Sequence, residues 1–137
     1  MQPAKGFSLH EAARKVVEKW ASLKDSVPRS HPELTSIVMV AANDPVLGLL
    51  FPFTSFDRLC FSRCVDSPYW VDIFIAPLGK GLFRVHKASG ELSWIERDEL
   101  GRGDPKTAAA IAVSALPPGY GPALPGNAES LSRSASD

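Results

Sequence analysis

Residues 51–77 read FPFTSFDRLCFSRCVDSPYWVDIFIAP, and the fold turns on how this stretch is taken. It carries most of the chain's aromatic residues and both cysteines. Leu59 to Cys64 alternates as a strand, with Leu59, Phe61 and Arg63 on one face and Cys60, Ser62 and Cys64 on the other. Asp66, Ser67 and Pro68 spell a turn. Tyr69 to Ala76 is the strongest strand of the chain: Val71, Ile73 and Ile75 point one way, Trp70, Asp72, Phe74 and Ala76 the other. Both faces are largely apolar, so this strand is expected at the centre of a sheet covered on two sides. Pro77 and the Gly79-Lys80-Gly81 turn end it.

Toward the C-terminus, Leu82 to Lys87 and Glu91 to Glu96 read as a hairpin around Ala88-Ser89-Gly90. Phe83, Val85, Leu92 and Trp94 form its apolar face, while Arg84, His86, Glu91 and Ser93 face water or a partner. The expected sheet is a four-stranded antiparallel meander. Residues 97–103, RDELGRG, read as a charged connector. Asp104-Pro105 starts a helix over KTAAAIAVSAL, which the spacing of Ala108, Ile111, Ala112, Ala115 and Leu116 lays on the sheet. Pro117-Pro118-Gly119 stops it. Residues 1–128 are expected to form one domain, and the Ser-rich residues 129–137 a disordered tail.

Toward the N-terminus, Ser8 and Glu11 form a capping box for a first helix. Leu9, Ala13, Val16, Trp20 and Leu23 recur at helical spacing, with Ala12 and Val17 widening the stripe. Trp20 is expected in the core. Residues 24–29 read as a linker closed by Pro28. Ser30 with Glu33 looks like a second capping box, with Pro32 in the first turn. Leu34, Ile37, Val38 and Ala41 keep helical spacing, which favours a helix, although the β-branched run through residues 35–40 leaves a strand open. Asp44-Pro45 caps a short turn over Val46 to Leu50. The fold class is therefore α+β: two N-terminal helices, the meander, and a C-terminal helix packed on the sheet.

Composition excludes several roles. The chain has 137 residues, and its fifteen basic side chains balance fifteen acidic ones. Its global field draws in neither nucleic acid nor an anionic membrane. No apolar run approaches the roughly 20 residues that span a bilayer, and MQPAKGFSLHEAARK lacks a signal-peptide core. A cytoplasmic location follows, with the two cysteines as free thiols.

Local chemistry is sparse. On a regular strand Cys60 and Cys64 stand roughly 13 Å apart, too far for a disulfide or one metal ion. His10, His31 and His86 sit in separate elements, so no metal and no cofactor is expected. There is no Gly-x-Ser-x-Gly elbow and no phosphate-binding glycine loop. What remains is a polar cluster threaded through residues 51–77. Thr54, Ser55, Arg58, Ser62 and Arg63, with Tyr69 and Trp70, are the candidate binding residues. The arginines are placed to pair with Asp57, Asp66 or Asp72, or to hold an anionic or peptide partner.

Pro52-Phe53-Thr54-Ser55, the run Leu59-Cys60-Phe61-Ser62-Arg63-Cys64 and Leu116-Pro117-Pro118-Gly119-Tyr120-Gly121-Pro122-Ala123 together resemble a family. It comprises small actinobacterial proteins of unknown function, often labelled natural-product biosynthesis proteins. The resemblance covers roughly residues 30–131 and implies a biosynthetic setting without a reaction. Where that family has a histidine after the Thr-Ser pair, this chain has Phe56.

The leading expectation is a small, non-enzymatic accessory protein that binds a protein or peptide partner. The alternative is a small-molecule binder or small enzyme, acting on a pathway intermediate in a pocket between the first helix and the sheet, lined by Trp20, Tyr69, Trp70 and Trp94. A masking protein of the immunity or chaperone kind is a third, and a homodimer along a sheet edge stays open.

Overall fold

The computed structural model describes residues 8–90 and 99–131. Helix α1 spans Leu9–Ser30. Ser8 Oγ accepts from the Glu11 amide at 3.1 Å, satisfying one of the orphan donors of the first turn. The Glu11 carboxylate turns to Arg14 instead of completing a reciprocal box. The buried stripe is Ala12, Val16, Trp20, Leu23 and Val27; Leu9 and Val17 are exposed. The expected linker at residues 24–29 is helical. Burial of Val27, four residues beyond Leu23, carries the helix past Pro28, which forfeits one backbone bond near the helix end.

Ser30 is consequently the last residue of α1, its hydroxyl donating to Ser26 O, and the second capping box does not form. A 3-10 turn over Pro32–Leu34 leads into α2, Thr35–Ala42. Leu34, Ile37, Val38 and Ala41 are buried as helical spacing requires. Asp44 Oδ1 accepts from the amides of Val46 and Leu47 at 2.8 and 3.0 Å, starting a 3-10 turn over Leu47–Leu49.

Among the described residues five strands follow, where four were expected in the whole chain: β1 Phe51–Ser55, β2 Arg58–Ser62, β3 Val71–Gly79, β4 Leu82–Gly90 and β5 Glu99–Gly103. They form one antiparallel sheet in chain order. The first strand hides in sequence because Pro52 cannot donate to a ladder. As an edge strand β1 tolerates it. The fifth falls in the segment read as a connector, and Ala88, Ser89 and Gly90, read as a turn, belong to β4. The expected strand over Glu91–Glu96 lies outside the described residues.

Why β5 is hard to read becomes clear from its glycines. A Cβ on Gly101 would lie 2.8 Å from Ile111 Cδ1, and one on Gly103 would lie 2.5 Å from Thr107 Cγ2. Both side chains belong to α3, Pro105–Ser114, which begins with Asp104 capping the Thr107 amide at 2.9 Å. The glycines let this alanine-rich helix settle on β4 and β5, and they also erase the alternation that marks a strand. Ala108, Ala109 and Ala112 are the buried alanines.

One core joins the helices to the inner sheet face, through Leu59, Phe61, Ile73, Ile75, Phe83 and Val85. A smaller cluster of Cys60, Val71 and Phe74 lies on the other face. Val71 is there because the β2–β3 register slips, leaving Asp72 without a partner on β2. Such a bulge turns the side chains on either side of it toward opposite faces. His86, expected to face water, is buried and stacks on Phe74 with centroids 5.2 Å apart.

Candidate functional site

The polar cluster of residues 51–77 does not converge on one point. Thr54 and Ser55 are half-buried at the end of β1. Arg58, on β2, lies with its guanidinium 5.0 Å from the Phe74 ring centroid. Ser62 is fully buried and serves as a local hub. Its Oγ donates to Cys64 O at 2.7 Å and accepts from the amides of Cys64 at 3.1 Å and Trp70 at 3.2 Å. A hydroxyl has one donor and two acceptor sites, so this one is saturated. Its work is to close the loop between β2 and β3.

Arg63 and Trp70 meet at the bulged Asp72. Oδ2 accepts from Arg63 Nη2 at 3.4 Å and from the Tyr120 hydroxyl at 2.5 Å, and Oδ1 accepts from Trp70 Nε1 at 3.1 Å. The Arg63 guanidinium also lies 5.4 Å from the Trp70 ring and 4.8 Å from the Tyr120 ring, within the range of a cation–π contact. Burial, and then the hydrogen bond to Asp72, hold the Tyr120 hydroxyl above its usual pKa. A phenol so held is a donor and not a base.

Tyr120 is the member that sequence reading missed. Its one signal is an aromatic residue in a Gly/Pro-rich run, where a side chain needs something to anchor to. Around it the C-terminal segment is stitched to the β2–β3 loop: the Leu124 amide donates to Arg63 O at 2.7 Å, the Val65 amide to Leu124 O at 3.1 Å, and the Ala123 amide to Leu49 O at 2.9 Å.

The remaining candidates lie apart. Tyr69 stacks on Phe51 and Phe53, with centroids 5.4 and 4.5 Å away. Asp66 pairs with Lys15 of α1 at 2.9 Å, and Asp57 stands 3.6 Å from His31. Trp20 is in the core, its Nε1 donating to Leu50 O at 3.1 Å. Trp20, Tyr69 and Trp70 thus occupy three neighbourhoods; Trp94 lies outside the described residues. The thiols are free and buried. Burial pushes Cys60 up to about 12 and raises Cys64 as well, the reverse of what activates a nucleophile. Among the described residues no group of three His, Cys, Asp or Glu side chains is placed to hold a metal ion, and no helix is long and apolar enough to cross a membrane.

A second feature belongs to the end of the sheet. The β1–β2 turn is Phe56-Asp57, both at positive φ (49° and 64°), and the β3–β4 turn is Lys80-Gly81, at 56° and 77°. Two residues at positive φ make the tight hairpin turn that matches strand twist, usually built from Asn and Gly. Phe56 is a bulky residue in that conformation and is 83% exposed. Leu59 pairs with Ile75, so Phe56 and Leu78 each lie three residues beyond that pair toward the same end. Leu78 and Leu82 are 40% and 47% exposed. Two neighbouring hairpins therefore present an apolar end.

These features define a small α+β protein: an antiparallel meander with helices on one face and its C-terminal segment locked down through Asp72. The chain belongs to a family of unknown function, DUF6193, whose model matches residues 14–127. No curated protein and no solved structure matches the chain.

Proposed function

We propose that this protein is a small, non-enzymatic accessory protein that binds a protein or peptide partner, in the cytoplasm and in the setting of a natural-product biosynthetic pathway. The setting comes from the family resemblance of the PFTS, LCFSRC and LPPGYGPA segments. The binding reading rests on one observation, the exposed Phe56 held in a left-handed turn beside Leu78 and Leu82. A backbone conformation that disfavours bulky side chains here carries an aromatic ring that packs in no core. Exposed apolar groups gathered at one end of a sheet support an interaction surface.

The polar groups of residues 51–77 support the same reading. Ser62 and Asp72 are spent on structural bonds, and the thiols are shielded. The test places a photo-crosslinking phenylalanine analogue at position 56 in the producing cell, with Lys24 as a control position. Crosslinking to one discrete polypeptide is expected at position 56 and not at position 24. Phe56→Asn, and Leu78→Ser combined with Leu82→Ser, should weaken recovery of that polypeptide while the fold persists. Equal crosslinking at both positions, or recovery untouched by these substitutions, sinks the proposal.

A further inference from the structure

A groove of about 320 Å3 runs between the flank of α1 and the start of β1, lined by Lys15, Glu18, Lys19, Ser22, Phe51 and Val65. Its floor is apolar. Phe51 and Val65 are buried against the core, and Tyr69 stacks on Phe51 with centroids 5.4 Å apart. Two of the three charged groups are matched within the fold. Lys15 Nζ is 2.9 Å from Asp66 Oδ1, and Glu18 Oε2 receives Arg14 Nη1 at 2.8 Å. Lys19 is different: its Nζ lies over the Phe51 ring, 5.8 Å from the centroid, and it meets no carboxylate among the described residues.

We infer that this groove is a binding site for a monocarboxylate carried on an apolar body. The apolar part covers Phe51 and Val65. The carboxylate takes the Lys19 ammonium, with the Ser22 hydroxyl as a second donor. A single unmatched ammonium suits one negative charge. A phosphate dianion is better held by the forked donors of arginine, and the groove has none. The inference is independent of the partner-binding reading, because Phe51 and Phe56 stand at opposite ends of β1, roughly 17 Å apart.

The same chemistry is offered by a free aryl acid and by the C-terminal residue of a polypeptide, so the test uses both. The whole protein is titrated with 4-phenylbutyrate, with N-acetylphenylalanine and with N-acetylphenylalaninamide, following backbone amide NMR shifts. Saturable shifts at Lys19, Ser22, Phe51 and Val65 are expected with an acid, at affinities of about 1 mM for so open a site. Whichever acid binds tighter identifies the source. Lys19→Gln should weaken binding about threefold, within the range of a solvent-exposed ion pair, while the fold persists, and Phe56→Asn should leave binding unchanged. Binding of the amide as tight as that of the acids overturns the carboxylate assignment. Shifts elsewhere, or none at 10 mM ligand (about ten times the expected Kd), overturn the site.

Discussion

The Tyr120 hydroxyl donates to Asp72 Oδ2 at 2.5 Å across 48 residues of chain. That bond ties a Gly/Pro-rich segment after the last helix to a bulge in the central strand. Because Asp72 also takes Trp70 Nε1 and Arg63 Nη2, the network acts as one unit. Tyr120→Phe should cost about 1–2 kcal/mol and Asp72→Asn about 2–3 kcal/mol. The double substitution should fall short of their sum by at least about 1 kcal/mol in urea denaturation. Additive losses show that the two groups do not act together.

Phe56 should be dispensable for folding and costly to it. Phe56→Asn replaces a bulky residue at φ 49° with one that tolerates the left-handed region. It should raise stability by roughly 1 kcal/mol, read as a higher Tm. A drop in Tm shows that the ring is structural, which removes the argument for its role in binding.

Cys60 makes the protein sensitive to alkali. Its thiol is pushed from 9.0 up to about 12, first by burial and against a smaller opposing effect of Arg58. A raised folded pKa means that the unfolded chain loses its proton first. The stability tied to the neutral thiol is complete below pH 9 and drains as pH rises toward 12, at about 1.4 kcal/mol per pH unit at most. Cys60→Ala should flatten the fall in stability between pH 9 and 11. An unchanged slope assigns the alkaline loss to other groups. Below pH 8 the native thiols should resist aromatic disulfide reagents until the chain is unfolded.

Two glycines of β5 should respond unequally. The Gly101 clash is with Ile111 Cδ1, the far end of a flexible side chain, whereas at Gly103 the Thr107 Cγ2 and Cβ both lie under 3.0 Å from the added atom. Gly103→Ala should therefore destabilise by about 2–3 kcal/mol and Gly101→Ala by about 1 kcal/mol. Ile111→Val should recover part of the Gly101→Ala loss and nothing at Gly103. The reverse ranking in thermal unfolding contradicts the close seating of α3.

The starts of α1 and α3, the turn at Asp44 and the sheet's centre were legible because their signals are local; the start of α2 was not, because Ser30 ends α1 and Leu34 caps α2 without a side-chain bond. Ser8, Asp44 and Asp104 cap the turns that follow them, each bonding to an amide two or three residues on. Ile73 and Ile75 alternate as a buried strand must. The edges were not legible. Pro52 argues against a strand unless the strand is known to be an edge, and Gly101 and Gly103 look like loop residues until α3 lies over them. Of the candidate site, Arg63 and Trp70 do meet, but at Asp72 and with Tyr120. Arg58, Ser62 and Tyr69 serve other neighbourhoods: Arg58 lies over Phe74, Ser62 closes the β2–β3 loop, and Tyr69, which precedes β3, stacks on Phe51 and Phe53.

By itself the sequence determined the α+β class, the amphipathic first helix, the Gly79-Lys80-Gly81 turn and the absence of the familiar catalytic motifs, all of which follow from spacing along the chain. Tertiary structure decided the number of strands, the placing of Asp72 against Tyr120, the exposure of Phe56 beside Leu78, and the groove under Lys19. Each depends on groups distant in sequence, and their meeting is set by sheet register and by how closely a helix can approach. Neither is encoded in a local pattern.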